Sequence, residues 1–454
     1  VELKPYTEAI KRKINLVDYI GAHVELKQKN GKFTACCPFH DEKTPSFYVH
    51  ADYFHCFGCQ KHGDVFTFAT EYLGKKFWET LQELAKKTGV ELPQQKEASP
   101  EEKKKRLTEQ RYFKALADAW KFFAQALPAS AKTSTYLTGR GYTKEEIVEL
   151  PFGYAPTDGP SLHQTLQRAG HKINDLVTLG LCRPSKRGNG YYDFFRDRLM
   201  IRIDDEYGRP VAFGGRTLAK ASDQGPKYIN SPAHPLFKKG ELLFNFYAAK
   251  PSIQKKRRAI LCEGYMDVLK LTQVGFLESV AVLGTAAGPS HLQLVEKYAD
   301  QLIVVFDGDE AGLRACRRLA PDVARCRNLQ VRLLQLPDGH DPDSYVTKFG
   351  AEAFEKSITT APRFLDFVIE KELEEASEKP PGAMIDFLRK SAFSWIKGIR
   401  DPMHRDWMFG KIAKQTGIDK SLLMRGAVQT NQNTRRENTG IRVGGTFVCR
   451  TKRL

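Results

Sequence analysis

No apolar run in the 454-residue chain approaches the roughly 18 residues that span a membrane, and no apolar signal-peptide core stands near its start. Both absences point to a soluble, cytoplasmic protein. Cysteine is scarce outside one place: of nine, an odd number, four lie between Cys36 and Cys59 and the rest are scattered. That excludes a disulfide framework and suggests one metal site plus ordinary buried thiols. No G-x4-GK[ST] stretch occurs, so there is no P-loop motor, and no internal repeat is visible. Acidic residues are outnumbered, 54 against 71 Lys and Arg, leaving a formal net charge of +17. An excess of that size calls for a polyanionic partner, nucleic acid before an anionic membrane surface.

What is present divides the chain. Residues 1 to 95 open with a helical apolar pattern (Ile10, Ile14, Val17, Ile20), pass through a cysteine- and aromatic-rich middle, and close with a second helical pattern (Phe77, Leu81, Leu84, Ala85). Residues 96 to 106 end the polar stretch "PQQKEASPEEKKKR" and read as a charged, flexible linker. Residues 107 to 256 mix helices with strand-like alternation, and Tyr207-Gly208 falls in a hairpin turn. Between 257 and 347 the runs "AILCEG", "SVAVLG", "LIVVFDGD" and "VRLLQLPDG" alternate with helical segments, the rhythm of a parallel α/β sheet. Residues 348 to 428 read as helices, and 429 to 454 as a polar, basic tail.

"CCPFH" and "HCFGC" carry a C-x2-H pair, Cys37 and His40, and a C-x2-C pair, Cys56 and Cys59, fifteen residues apart. Such gaps let both members of a knuckle turn onto one zinc ion, and "PSFYVHADYFH" alternates like the hairpin that joins two knuckles in a zinc ribbon. Four N/S ligands close the ion's shell, so this zinc is expected to be structural. Cys36, His50, His55 and His62 compete for it; neighbours on a strand face opposite sides, and the spacing favours Cys37 over Cys36. Phe47, Tyr53, Phe54 and Phe57 either pack this small core or stack bases, with core favoured.

Three acidic motifs end the expected strands: Glu263 in "LCEGYMD", Asp307 and Asp309 in "FDGDEAG", Asp341 and Asp343 in "GHDPDS". Ligands of open α/β sheets bind beyond the carboxyl ends of the strands, where these carboxylates would converge. Close carboxylates repel unless cations lie between them, and hard oxygens suit Mg2+ or Mn2+. The expectation is a metal site, of two ions, beside phosphates. Asp267 and Glu310 are expected to be surface or capping residues. Arg196, Arg198, Arg202, Arg216, Lys227 and Lys239 stand singly among apolar and glycine residues, where each could grip phosphate or be a solvated charge.

Taken together and in order, "CPFHDEKTPSF", "HCFGC", "FGGR", "PKYINSP", "EGYMDV", "FDGDEAG" and "LPDGHDPD" resemble the bacterial replicative DNA primase family, DnaG, across most of residues 1 to 428. The resemblance implies a multidomain α/β and α+β protein: a CHC2 zinc ribbon, a mixed α+β subdomain, a Toprim α/β parallel sheet and a helical bundle. It implies synthesis of short RNA primers from ribonucleoside triphosphates on single-stranded DNA, with an RNA–DNA hybrid as product. Zinc falls to Cys37, His40, Cys56 and Cys59, the catalytic metals to Glu263, Asp307 and Asp309, and the second metal or triphosphate to Asp341 and Asp343. Template and nucleotide contacts fall to Arg140, Arg196, Arg216, Lys227, Tyr228, Asn230 and Lys239. The family usually carries a further domain that docks the replicative helicase, and the resemblance stops short of it here. Two rivals remain at this level: a Toprim nuclease or topoisomerase sharing the carboxylates, and a zinc-containing DNA-binding scaffold without catalysis.

Overall fold

The computed structural model describes residues 3–425 apart from 30, 41, 43, 76, 93–98, 186, 187, 189, 219–224, 285, 307–309 and 338, and apart from the side chains of 29 and 311. Asp307, Asp309 and the tail at 429–454 therefore lie outside the described residues. The chain divides into two compact units, Val1–Lys104 and Lys105–Leu454.

In the first unit, five short antiparallel strands follow one another across a sheet: Lys27–Lys29, Lys32–Ala35, Phe47–Val49, Phe54–Cys56 and His62–Gly63. The expected hairpin is there, with Phe47 opposite Cys56 and Val49 opposite Phe54. Alternation sends those four side chains inward and leaves Tyr48 and His55 on the other face. The opening helical pattern is two helices, Lys4–Lys13 and Leu16–Gly21, not one. The break is at Asn15, whose side chain accepts from the Val17 amide and restarts the helix as its N-cap. Helices Val65–Glu71 and Phe77–Thr88 complete the core around Phe47, Phe54, Phe68, Leu81 and Leu84.

The stretch expected to be linker is helical from Pro100 onward, within Pro100–Ala126. The cause is a capping box: the Ser99 hydroxyl accepts from the Glu102 amide at 3.1 Å while the Glu102 carboxylate accepts from the Ser99 amide at 2.8 Å. Proline at the first helical position needs no amide partner, and it reinforces the start. Charge alone misled the sequence reading; the local capping chemistry decides.

The second unit has two main sheets. The first is antiparallel, in the order Tyr228–Asn230, Pro210–Thr217, Arg198–Asp204, Phe152–Ala155. Its central hairpin turns where expected: Asp205 Oδ1 accepts from the Tyr207 and Arg209 amides, and Gly208 takes a φ of +78° that a side chain would resist. The second sheet is parallel, in the order Ser279–Ala281, Arg258–Cys262, Gln301–Phe306, Gln330–Gln335, matching all four expected runs. The inner positions of these strands are mostly apolar because both faces of the sheet are covered. Ile260, Cys262, Ile303 and Val305 pack with Phe152, Leu199 and Ile201 of the antiparallel sheet. Leu261, Leu302, Val304 and Leu333 pack with Phe364, Val368, Trp395 and Phe409 of the helical bundle. The helix Pro342–Thr360 runs across the expected boundary at 347, breaking at Gly350, and packs Tyr345, Val346 and Phe354 into the first of these cores. Among the described residues no helix is long and apolar enough to cross a membrane.

Candidate metal and nucleotide sites

The two knuckles meet. One donor atom each from Cys37, His40, Cys56 and Cys59 lie within 4.8 Å of one another. The Cys37 and Cys59 sulfurs are 3.8 Å apart. That matches the edge of a tetrahedron with metal–sulfur bonds of about 2.3 Å. His40 presents Nδ1, 3.9 Å from the Cys56 sulfur. Each knuckle turns on its own amide: Phe39 N–H points at Cys37 Sγ and Cys59 N–H at Cys56 Sγ, both at 3.4 Å. Burial pushes the Cys37 thiol up to about 12, so it ionises readily only against a cation. At Cys56 burial also pushes upward, but the Ser46 hydroxyl and the Cys59 amide bring the thiol below its ordinary value. A side chain at position 58 would collide with His40 and Ser46, which explains Gly58 in "HCFGC".

The histidine is held from behind. Its Nε2 lies 3.2 Å from Glu42, whose carboxylate also accepts from the Cys37 amide at 2.7 Å and the Ser46 hydroxyl at 2.5 Å. These donors, the Ser46 hydroxyl first, hold the Glu42 carboxyl below the usual range. A carboxylate behind a ligating histidine fixes its orientation. Sequence reading missed Glu42 and Ser46; the signal was an acid two residues past a ligand. The competitors stand outside the cluster. Cys36 is exposed, His50 stacks on Tyr53 with ring centroids 4.3 Å apart, and His55 and His62 face each other at 6.1 Å. Phe47 and Phe54 are wholly buried, whereas Tyr53 and Phe57 are 48% and 63% exposed, so the aromatics divide between core and surface.

At the parallel sheet, Glu263 follows the strand Arg258–Cys262 directly and is exposed. It opens on a cavity of about 300 Å³ at the carboxyl end of the sheet, lined also by Gly284, Ala287, Phe306 and Arg318. Asp341 and Asp343 stand at the start of the helix Pro342–Thr360, after the strand Gln330–Gln335, as its N-cap and in its first turn. Asp341 spends one oxygen capping that helix, accepting from the Ser344 amide at 2.8 Å. Asp343 is ion-paired with Arg140, and burial raises its carboxyl above the ordinary value although Arg140 and Lys270 oppose the shift. Among the described residues Glu263, Asp341 and Asp343 do not by themselves form a ligand group. Asp267 sits in the first turn of the helix Tyr265–Gln273, folded over Gly264, and Glu310 pairs on the surface with Arg314. Glu310 is the surface residue expected from sequence, whereas Asp267 is half-buried.

The basic residues separate by environment. Arg216 and Tyr228 are register partners on adjacent strands, and Arg216 Nη1 donates to the Tyr228 hydroxyl at 2.6 Å. Arg196 and Lys227 are exposed, and Lys239 is half-buried. Asn230 has both ends of its amide engaged: Oδ1 accepts from the Tyr265 hydroxyl at 2.7 Å and Nδ2 donates to the Leu283 carbonyl at 3.1 Å. It ties the antiparallel sheet to the loop beside Glu263. Two candidates are accounted for within the fold instead. Arg202 chelates Asp204 at 2.9 Å and lies over Trp120. Arg198 is buried and donates to the carbonyls of Gly215 and Pro226 at 3.0 and 3.1 Å, holding "FGGR" to "PKYINSP". Arg198→Ala should therefore cost about 2–3 kcal/mol of stability, the price of orphaning buried carbonyls. A urea midpoint unchanged from the parent would contradict this role. Sequence reading also missed Lys270, a buried cation that donates to the Arg140 carbonyl at 3.1 Å; its mark was a lone cation in the apolar run "VLKL".

Of the remaining thiols Cys182, Cys262 and Cys316 are buried and Cys326 is half-buried, and burial pushes Cys182 and Cys316 up to about 12. Cys449 lies outside the described residues.

Comparison with known proteins agrees with this layout. Residues 3–100 match the CHC2 zinc finger, 122–250 the N-terminal domain of the DNA primase catalytic core, and 260–346 the Toprim-like family. The DNA primase of Halalkalibacterium halodurans is 38% identical over 356 residues, 77% of this chain. The chain spans 58% of that relative's length. A DNA primase domain from Pseudomonas aeruginosa is similar in structure, with a TM-score of 0.62 and 32% identity over 70% of this chain and 99% of that one. So is a DnaG primase catalytic domain bound to single-stranded DNA, with a TM-score of 0.61 and 30% identity over 68% of this chain and 99% of that one. With a Cys3His ribbon, an antiparallel primase-core sheet and a Toprim sheet in this order, the chain belongs to the bacterial DnaG primase family.

Proposed function

We propose that this chain synthesises short RNA primers from ribonucleoside triphosphates on a single-stranded DNA template. The observation that carries the proposal is Glu263, which opens on a cavity at the carboxyl end of the parallel sheet. In the same unit Arg140 pairs with Asp343, in the first turn of the helix that follows the last strand. The similar DnaG domain with bound single-stranded DNA supports the choice of template. The match to the primase-core N-terminal domain favours this reading over a Toprim nuclease or topoisomerase.

In this reading Glu263, with Asp307 and Asp309 from the sequence, holds divalent cations, Mg2+ or Mn2+ and two in number. When bound they would offset triphosphate charge and polarise the attacking hydroxyl. Glu263 suits the role: it is an exposed hard-oxygen donor at a strand end, facing a cavity. Arg140 and Arg216 take triphosphate oxygens, and Lys227, Lys239 and Arg196 take backbone phosphates. A ribonucleotide 3′-hydroxyl attacks the α-phosphorus in line, a P–O bond forms, and pyrophosphate leaves. No covalent enzyme intermediate is required, so the chain's work is positioning and charge neutralisation. The zinc ribbon recognises template, and the exposed rings of Phe57 and Tyr53 are its stacking surfaces. A cytoplasmic setting at the replication fork belongs to the same proposal; docking to the replicative helicase is assigned to none of the described residues.

The test is incubation with single-stranded template, ribonucleotides and Mg2+. New RNA supports the proposal. Cut DNA would favour the nuclease reading, and binding alone would reduce the chain to a scaffold. A second expectation concerns salt. Single-stranded DNA affinity should fall with a log–log slope of about −2 if Arg196, Lys227 and Lys239 each neutralise one phosphate. A flat titration would mean that the +17 excess is solvated surface.

A further inference from the structure

One ring carries two of the cations just assigned to phosphate. The Arg216 guanidinium carbon lies 4.5 Å from the centroid of Tyr136, and that of Arg140 lies 5.2 Å from the same centroid. Both are inside the roughly 6 Å over which a ring quadrupole attracts a cation. The two arginines arrive from different elements. Tyr136 and Arg140 are four residues apart at the end of the helix Ala131–Gly139, so they share a face. Arg216 comes from the strand Pro210–Thr217, donates to the Tyr228 hydroxyl and lies 5.3 Å from the Tyr228 centroid, farther than from Tyr136.

Two like charges near one ring repel each other, and among the described residues the one carboxylate that pairs with either is Asp343. Lys270 adds a third positive charge against the Arg140 carbonyl. Among the described residues three cations thus stand with one paired carboxylate, and a polyanion would relieve the excess. The Tyr136 hydroxyl and Arg216 Nε are both buried with no hydrogen-bond partner among the described residues. A phenol left unpaired in the interior gains nothing over a phenyl ring, so the hydroxyl does not explain this tyrosine. Burial pushes that phenol up to about 12, which keeps it neutral and the ring's π face available to both cations.

We propose that Tyr136 is a positioning residue: its ring sets the spacing and orientation of Arg140 and Arg216, and so the fit of the triphosphate they bind. This rests on the reading that these arginines contact nucleoside triphosphate. The ring acts through the arginines and does not touch the reacting atoms.

The test is equilibrium binding of GTP in the presence of Mg2+ to the full chain, with template affinity measured in parallel. Arg216→Ala should weaken GTP binding, which checks the underlying reading. Tyr136→Leu should raise the GTP Kd about tenfold and leave the template Kd within twofold of the parent. Tyr136→Phe should restore parent GTP affinity, with thermal stability equal or higher. Should Tyr136→Leu fail to fold, Tyr136→Met keeps flexible bulk without a π face and is expected to show the same loss. If the folded Leu or Met variant binds GTP like the parent while Arg216→Ala does not, the ring has no positioning role. If Phe is as impaired as Leu, the hydroxyl is the working group and the proposal is wrong. If Arg216→Ala and Arg140→Ala both bind GTP normally, the triphosphate reading falls, and this inference falls with it.

Discussion

Glu263→Gln should leave a folded chain that still binds single-stranded DNA but makes primers roughly a thousandfold more slowly. The substitution keeps size and removes one charge from an exposed side chain at a strand end, so little in the core depends on it. Losing a ligand that helps hold a divalent cation forfeits several kcal/mol of charge stabilisation in the transition state, and each 1.36 kcal/mol is about tenfold in rate. DNA binding rests on the basic residues and should persist or strengthen as negative charge is removed. Asp307→Asn, chosen from the sequence because Asp307 directly follows the strand Gln301–Phe306, is expected to lose as much. The assay is primer synthesis beside DNA binding for the same purified variant. Synthesis near the parent rate in Asp307→Asn would return "DGD" to the status of a polar turn.

Cys59→Ala should take bound zinc from one equivalent to none and loosen the first unit. The sulfur is one corner of the four-donor set, and Cys37, 3.8 Å away, would be left facing a gap. Structural zinc in small domains contributes on the order of 10 kcal/mol to folding, more than this unit's short strands and modest core would replace. The consequence is local. Amides of the hairpin Phe47–Val49 and Phe54–Cys56 should lose hydrogen-exchange protection, while those of the parallel sheet keep theirs. Full zinc content in the variant, or unchanged protection in that hairpin, would contradict a four-ligand structural site.

Spacing and periodicity made much of this legible. The C-x2-H and C-x2-C pairs located the metal cluster because a knuckle's geometry is set within four residues. The four parallel strands were legible as apolar runs because both of their faces are buried. What the sequence hid depends on three-dimensional partners. Arg198 and Arg216 look alike in one dimension, yet one donates into buried carbonyls and the other lies beside an aromatic ring. Asn230 stands in a motif suggestive of nucleotide contact, but both ends of its amide are spent on Tyr265 and Leu283, 35 and 53 residues away. Glu42 is a different case: its partners His40, Cys37 and Ser46 are two to five residues away, and the acid two residues past a ligand was a local signal left unread. The false linker at Pro100 shows the same kind of error. There a local signal, Ser99 and Glu102 closing on each other, was legible and was outweighed by composition.

Whether the Toprim sheet joins ribonucleotides, rather than cutting or merely holding DNA, is decided by counting pyrophosphate. With single-stranded template, ribonucleotides and Mg2+, one pyrophosphate should be released per phosphodiester bond formed, products should begin with a 5′-triphosphate, and both should be lost in Glu263→Gln. Mg2+-dependent shortening of the DNA with no pyrophosphate released, or RNA synthesis that Glu263→Gln leaves intact, would contradict ribonucleotide joining at this sheet.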